Sequence, residues 1–201
     1  MSKWFPKFYD TLMEPLERRG FRDIRKELIH KATGIVLEIG SGTGFNFPYY
    51  EDTQVIKVFA VEPEPLMREQ SLARAARATV PIEVILARGE ELPFPDNSFD
   101  TIVGTLVLCT IPDPFKALEE IRRVCKPDGQ ILFFEHVRLN HPVLSRLQDW
   151  LTPLWKHLCD GCHLNRNTLQ IIKKAGFEVV RIKRYYKDIF LVIEVQNKKL
   201  Q

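Results

Sequence analysis

The sequence predicts an α/β fold built on a parallel sheet with helices on both faces. Between residues 34 and 137 short β-branched runs alternate with helix-period segments, the signature of βαβ units. The runs GIVLEIG (34–40) and FDTIVGTLVLC (99–109) are apolar nearly throughout, which suits strands covered on both sides. The first run leads into glycines at 40, 42 and 44, a loop at the carboxyl end of a strand, where open α/β sheets bind ligands.

The elements follow in chain order. Leu12, Leu16, Ile24 and Leu28 recur near a 3.6-residue period over 8–30, with Gly20 marking a break. Strands follow at 34–40 and 55–62. Residues 63–80 are helical, ended by Pro81. A third strand spans 82–87 and a fourth lies within 99–109. Residues 113–125 form a helix with Asp113 as N-cap and Pro114 in its first position. The PDG turn at 127–129 leads into a fifth strand, 130–137. Residues 142–158 carry Val143, Leu147, Leu151, Leu154 and Leu158 at helical spacing, with Pro153 as a kink. A further helix over 165–176 stops at Gly176. Residues 177–186 and 188–196 read as an antiparallel pair at the sheet edge.

The composition bounds the function. The 201 residues, 45% apolar and 27% charged, suit one soluble globular domain with a core that needs no staples. A net charge of +3 does not argue for a nucleic-acid partner, and the basic run RIKRYYK (181–187) reads as a strand with a solvated face. No run of about 18 apolar residues predicts a membrane span. The N-terminus lacks the apolar core of a signal peptide. Four cysteines without a secretory signal suggest reduced thiols and a cytoplasmic location.

The glycine loop departs from the dinucleotide fingerprint G-x-G-x-x-G, because its third glycine comes one residue early. No Lys-Ser/Thr pair follows it, so it is no phosphate-cradling P-loop. Glu38, just before the loop, would repel a pyrophosphate but suits an ammonium group. Glu62 ends the next strand, where an acidic side chain accepts hydrogen bonds from ribose hydroxyls. A ligand with an adenosine, a cationic amino-acid end and no phosphate fits, and S-adenosylmethionine is such a ligand.

VLEIGSGTG (36–44), VEPEP (61–65), GEELPFPDNSFDTIV (89–103), PDG and KKAGF (173–177), in that order and spacing, resemble the class I S-adenosylmethionine-dependent methyltransferases over about residues 34 to 195. The resemblance implies a Rossmann-like seven-stranded, mostly parallel sheet with an antiparallel last strand and a small helical cap. It implies one methyltransferase domain over 1–201, with an N-terminal helical lid (1–32), a cofactor-binding core (33–138), a helical acceptor cap (139–177) and a final strand pair (178–197). It also implies roles. Gly40, Gly42 and Gly44 pass close to the methionine part of the cofactor and Glu38 holds its amino end. Glu62 takes the ribose, with Pro63 beside the adenine and Gly89 and Glu90 at the adenine edge. Thr105 and Leu106 lie beneath the sulfonium. Many relatives have Asp where this chain has Arg88.

Methyl transfer from a sulfonium, yielding S-adenosylhomocysteine, is an in-line displacement accelerated mainly by alignment in a dry site. A thiolate needs little more, whereas a hydroxyl or amine benefits from a base. The candidate catalytic residues are His136, at the end of the fifth strand, and Asp160; His157 and His163 belong to the same region, while His30 and His141 read as surface residues. Trp150, Leu151, Leu154, Trp155 and Leu158 are expected to pack between their helix and the sheet. Tyr9 and Met13 place the N-terminal helix over the cofactor. Trp4, Phe5 and Phe8 with Lys3 and Lys7 form a small interfacial pattern suited to weak peripheral membrane contact, though packing on the domain is the favoured reading.

TLVLC (105–109), EHV (135–137) and LWKHLCDGCHLNR (154–166) resemble the thiol methyltransferases of the methyltransferase-like family. That resemblance implies a small-molecule acceptor, a thiol, with quinone-precursor and phospholipid acceptors and a non-catalytic binding module left open. Those relatives carry an N-terminal hydrophobic anchor that this chain is expected to lack. The sequence predicts no metal site: structural zinc needs four ligands, and Cys109 at a strand end and Cys125 on a helix are not expected to join Cys159 and Cys162. A thioredoxin-like role is also disfavoured, because the pair follows a helix and not a strand.

Overall fold

The computed structural model describes residues 4–198. Its strands are β1 (Gly34–Ile39), β2 (Val55–Val61), β3 (Ile82–Ile85), β4 (Phe99–Thr105), β5 (Cys125–His136), β6 (Glu178–Tyr185) and β7 (Phe190–Gln196). They form one sheet in the order β3-β2-β1-β4-β5-β7-β6. Strands β1 to β5 pair in parallel, and β7 runs antiparallel to both β5 and β6. The order reverses between β1 and β4, which opens a crevice at their carboxyl ends.

Strand alternation divides the core in two. Leu37, Ile39, Ile102, Ile131 and Phe133 face one side, against α4 (Pro114–Val124) and α6 (Thr168–Lys174). Val36, Val58, Val103, Leu132 and Phe134 face the other, against α2 (Arg22–Ile29). The remaining helices are α1 (Trp4–Leu16), α3 (Pro65–Ala75) and α5 (Pro142–Leu158). Between α1 and α2 the chain turns at Gly20, whose φ of 126° is open to glycine and costly for other residues.

Several boundaries differ from the sequence reading. Helix α3 stops at Ala75. Strand β4 ends at Thr105 because Leu106 adopts a φ of 55°. The PDG turn lies inside β5 as an irregularity in the pairing with β4, so the strand starts at Cys125. Helix α5 continues through Pro153.

The expected packing of α5 is corrected. Trp150 is 75% and Leu154 60% exposed, and Trp155 and Leu158 are exposed as well. The inward stripe is Ser145, Gln148 and Thr152. Gln148 donates to the carbonyls of Val137 (3.3 Å) and Leu164 (3.1 Å) and accepts from the Leu139 amide (2.8 Å). These irregular segments offer backbone groups that Gln148 takes up, so it docks the helix, while Ser145 and Thr152 bond back to the Pro142 and Gln148 carbonyls of their own helix. Among the described residues no helix is long and apolar enough to cross a membrane. In the interfacial pattern near the N-terminus, Trp4 and Phe8 are exposed, and Lys3 lies outside the described residues.

Candidate functional site

The crevice between β1 and β4 is framed by the glycine loop, Glu62 and the turn after β4. Gly40, Gly42 and Gly44 all have positive φ, but a side chain would meet different things at each. At Gly40 it would collide with Val107, and at Gly44 with Phe47 at 2.6 Å. At Gly42 the nearest atom is Tyr9 Cε1 at 3.9 Å. Gly42 therefore faces the space for a ligand, while the other two let the loop pack.

Glu62 anchors that loop. Its two carboxylate oxygens accept from the amides of Gly42 (2.8 Å) and Glu64 (2.9 Å). Each oxygen keeps a second lone pair, the capacity a ribose diol needs. The side chain is 5% exposed, and burial raises its pKa against the opposing pull of those amides. Ser41 Oγ, in the same loop, is buried without a hydrogen-bond partner. An orphaned buried hydroxyl beside a carboxylate with spare lone pairs is the pattern expected where a polar ligand completes the bonding, so these residues fit the amino-acid and ribose groups of S-adenosylmethionine. Pro63 is exposed just beyond Glu62, Gly89 is buried against Ile39 and Ile111, and Glu90 turns towards the Asp113 amide at 3.5 Å.

Beneath the loop lies a polar cluster that the sequence did not reveal. Glu38 accepts from Asn46 Nδ2 (3.0 Å) and from the Tyr50 hydroxyl (2.6 Å). Arg25, from α2, donates to Glu17 (2.9 Å), Asn46 Oδ1 (3.0 Å) and Thr105 Oγ1 (2.8 Å). Burial pushes the Glu38 pKa up to about 7, opposed by Tyr50, Asn46 and the nearby Arg25 charge. The cluster ties the N-terminal segment to the ends of β1 and β4.

Helix α1 closes the site from above. Tyr9 packs between Phe5 (5.5 Å) and Phe45 (6.1 Å), over Gly42, and burial raises its hydroxyl pKa to about 12. Met13 packs against the α2 side of the core. Asp10 latches the helix: it accepts from Thr43 Oγ1 (2.6 Å) and from Arg74 (2.7 Å), which also donates to the Thr43 carbonyl (2.6 Å).

The turn after β4 is organised by Glu135, another residue to which the sequence assigned no role. Its buried carboxylate accepts from the amides of Val107 (2.8 Å), Leu108 (2.9 Å) and Cys109 (3.2 Å). This fold-back, with the Leu106 amide on the Phe134 carbonyl (2.6 Å), turns Cys109 towards the end of β5. There His136 Nε2 lies 2.9 Å from Cys162 Sγ, and Cys162 Sγ lies 3.8 Å from Cys109 Sγ. The expectation that Cys109 could not join the cysteines of the cap is thus overturned, because the Glu135-held turn and the cap turn meet over the sheet end. Cys125 is buried at the start of β5, and no disulfide joins the four cysteines.

His136 is not a free base. Burial works against its charged form, but the Cys162 sulfur and the Glu135 charge outweigh that and raise its pKa. The Cys109 sulfur and burial hold the Cys162 thiol well above the ordinary thiol range. Asp160 sits in the cap turn at a φ of 48°, close enough for its charge to raise the Glu62 pKa. His163 donates its amide to the Cys109 carbonyl (2.9 Å), and His157 is exposed.

Known proteins agree with this geometry. A family model described as a methyltransferase domain matches residues 37–133. The chain is 37% identical over 195 residues to rat thiol S-methyltransferase TMT1B, covering 89% of this chain and 77% of that protein. It is 30% identical over 193 residues to human thiol S-methyltransferase TMT1A, covering 90% and 78%. Its fold matches a SAM-dependent methyltransferase from Thermotoga maritima with a TM-score of 0.68 at 22% identity, covering 96% of this chain and 98% of that one. A methyltransferase solved with the Trm112 activator of Haloferax volcanii gives a TM-score of 0.77 at 16% identity, covering 99% and 100%. With the glycine loop, Glu62 and the seven-stranded sheet in register, these likenesses show that the chain belongs to the S-adenosylmethionine-dependent methyltransferases, in the family that contains the TMT1 proteins.

Proposed function

We propose that the protein transfers the cofactor methyl group to a small alkyl thiol. One observation in the site carries this reading: His136 Nε2 is committed to Cys162 Sγ at 2.9 Å. The Nε2 nitrogen of the histidine at the end of β5 is therefore not offered to an acceptor hydroxyl or amine. An acceptor that ionises readily suits such a site, and thiols do so near pKa 8.5, below phenols near 10. The TMT1 relatives, named as thiol S-methyltransferases, support the same choice.

The residue roles follow the geometry. Glu62 receives the ribose hydroxyls. Ser41 Oγ and the open space over Gly42 receive the amino-acid end, with Glu38 below. Pro63, Gly89 and Glu90 border the adenine, and Thr105 and Leu106 underlie the sulfonium. Tyr9 excludes water, which strengthens the electrostatics of the transfer. Asp160 lines the acceptor edge of the crevice. The bound cofactor supplies the electrophilic methyl carbon.

A screen of alkyl thiols, phenols, quinols and phospholipids, scored for methylated product and S-adenosylhomocysteine in equal amounts, tests this. Turnover of alkyl thiols is the expected result. Turnover of phenolic, quinol or lipid acceptors with inert alkyl thiols overturns it.

A further inference from the structure

We propose that Cys109, His136 and Cys162 form a three-ligand zinc site whose fourth position takes the acceptor thiolate. The metal site stands on the geometry alone; the identity of the fourth ligand rests on the thiol reading above.

The three donor atoms come from three separate segments and lie within 4.8 Å of one another. Two sulfurs bound to one tetrahedral zinc at about 2.3 Å are about 3.8 Å apart. Cys162 Sγ and Cys109 Sγ stand 3.8 Å apart, so that edge of the tetrahedron is already set. A sulfur and an imidazole nitrogen on the same ion are about 3.6 Å apart. The His136–Cys162 separation of 2.9 Å opens to this value by a small rotation of the Cys162 side chain, which sits in a turn.

The donor set matches the metal. Two thiolates and a neutral imidazole neutralise Zn²⁺ and leave one open position, the pattern of catalytic rather than structural zinc. Zero net charge keeps the desolvation cost of a buried site low. The ligands are also held in place. The His163 amide bonds the Cys109 carbonyl (2.9 Å), and the Arg138 amide bonds the Arg166 carbonyl (3.1 Å). The Arg166 guanidinium grips the carbonyls of Leu108 and Ile111, both at 2.6 Å. These bonds fix the cap turn over the β4 turn, the kind of outer support that metal ligands require.

The site borders the reaction centre. Cys109 Sγ lies 3.4 Å from the carbonyl of Leu106, in the turn that follows β4. A thiol bound to zinc is deprotonated. Its proton leaves to solvent and its sulfur attacks the methyl carbon. The carbon–sulfonium bond breaks with its electron pair passing to the cofactor sulfur, giving a methyl thioether and S-adenosylhomocysteine.

The test uses the full chain, stripped with a chelator and kept reduced by a phosphine, titrated with Co²⁺ alone and then with Zn²⁺. The expected result is one equivalent bound, with thiolate-to-cobalt charge-transfer and intense tetrahedral d–d bands that Zn²⁺ abolishes. Cys162→Ala, next to the surface, should weaken binding by more than the roughly 10–100-fold that loss of an outer-shell partner costs. Cys159→Ser should leave it unchanged. Circular dichroism and S-adenosylhomocysteine binding confirm that each variant is folded. Absence of the thiolate bands, or bands lost in Cys159→Ser but kept in Cys162→Ala, overturns the site. For the fourth ligand, an alkyl thiol should shift the d–d bands. Full-rate thiol methylation by stripped enzyme overturns this part while leaving the thiol acceptor standing. Cobalt bands with no thiol methylated overturn the acceptor reading and leave the metal site.

Discussion

On one side of the crevice, apolar strands deliver Glu38 and Glu62 at strand ends, where side chains hold the first and backbone amides the second. On the other side, at the ends of β4 and β5, three segments far apart in the chain converge, and α5 is docked through Gln148 while its apolar face points outward. The first side is set by local sequence, because a glycine loop after a buried strand can do little else. The second is set by what the strand ends present to the cap. The difference teaches that hydrophobic periodicity reads a helix reliably but not the direction in which it faces when the docking surface is irregular backbone.

This contrast can be broken most severely at Glu135. Glu135→Ala leaves three buried amides without an acceptor and is expected to cost about 4 kcal/mol of stability. At about 2–4 °C per kcal/mol for a chain of this size, thermal unfolding should drop by roughly 8–16 °C. A fall of only a few degrees would show that the acceptor turn holds itself.

Glu62→Ala removes the proposed ribose acceptor and the partner of the Gly42 amide. Cofactor binding measured by calorimetry should weaken by about 3 kcal/mol, roughly 100-fold, the scale of two charge-assisted bonds. Unchanged binding would mean that Glu62 serves the loop and not the ligand.

Glu38 separates the two sides by pH. Its folded pKa of about 7 lies above the unfolded carboxylate value, so between about pH 4.5 and 7 the native state binds more protons. Stability from this group is therefore full below that window and lost as pH rises through it, by up to about 3 kcal/mol. Denaturant midpoints at pH 5 and 7.5 should differ less in Glu38→Gln than in the parent. An identical slope would assign the dependence to the acceptor-side carboxylate, Glu135, whose pKa is also raised by burial.

Asp10→Ala should release the lid. The latch is partly exposed, so the loss is smaller, about 1 kcal/mol, seen as a several-fold faster cofactor release in stopped flow. The smallest effect is expected on the outward face of α5. Trp150→Lys should shift stability by no more than about 0.5 kcal/mol, as for other surface positions. A larger loss of melting temperature would mean that this face is covered.

By itself the sequence determined the alternation of strands and helices, the antiparallel pair at the sheet edge, the Asp113 cap of α4, and the pairing of a glycine loop with Glu62. These follow from chain-local rules: side-chain period, φ freedom at glycine, and the fixed place of strand ends in a parallel sheet. Only the tertiary structure decided that Gly40 and Gly44 are packed against Val107 and Phe47 while Gly42 has open space above it, that Arg25 and Asp10 bind the N-terminal helices to the crevice, and that Cys109, His136 and Cys162 share one point in space. Apart from Gly44 against Phe47, those contacts join residues tens of positions apart. Their distances depend on how two turns fold over the sheet end, and no local pattern encodes that.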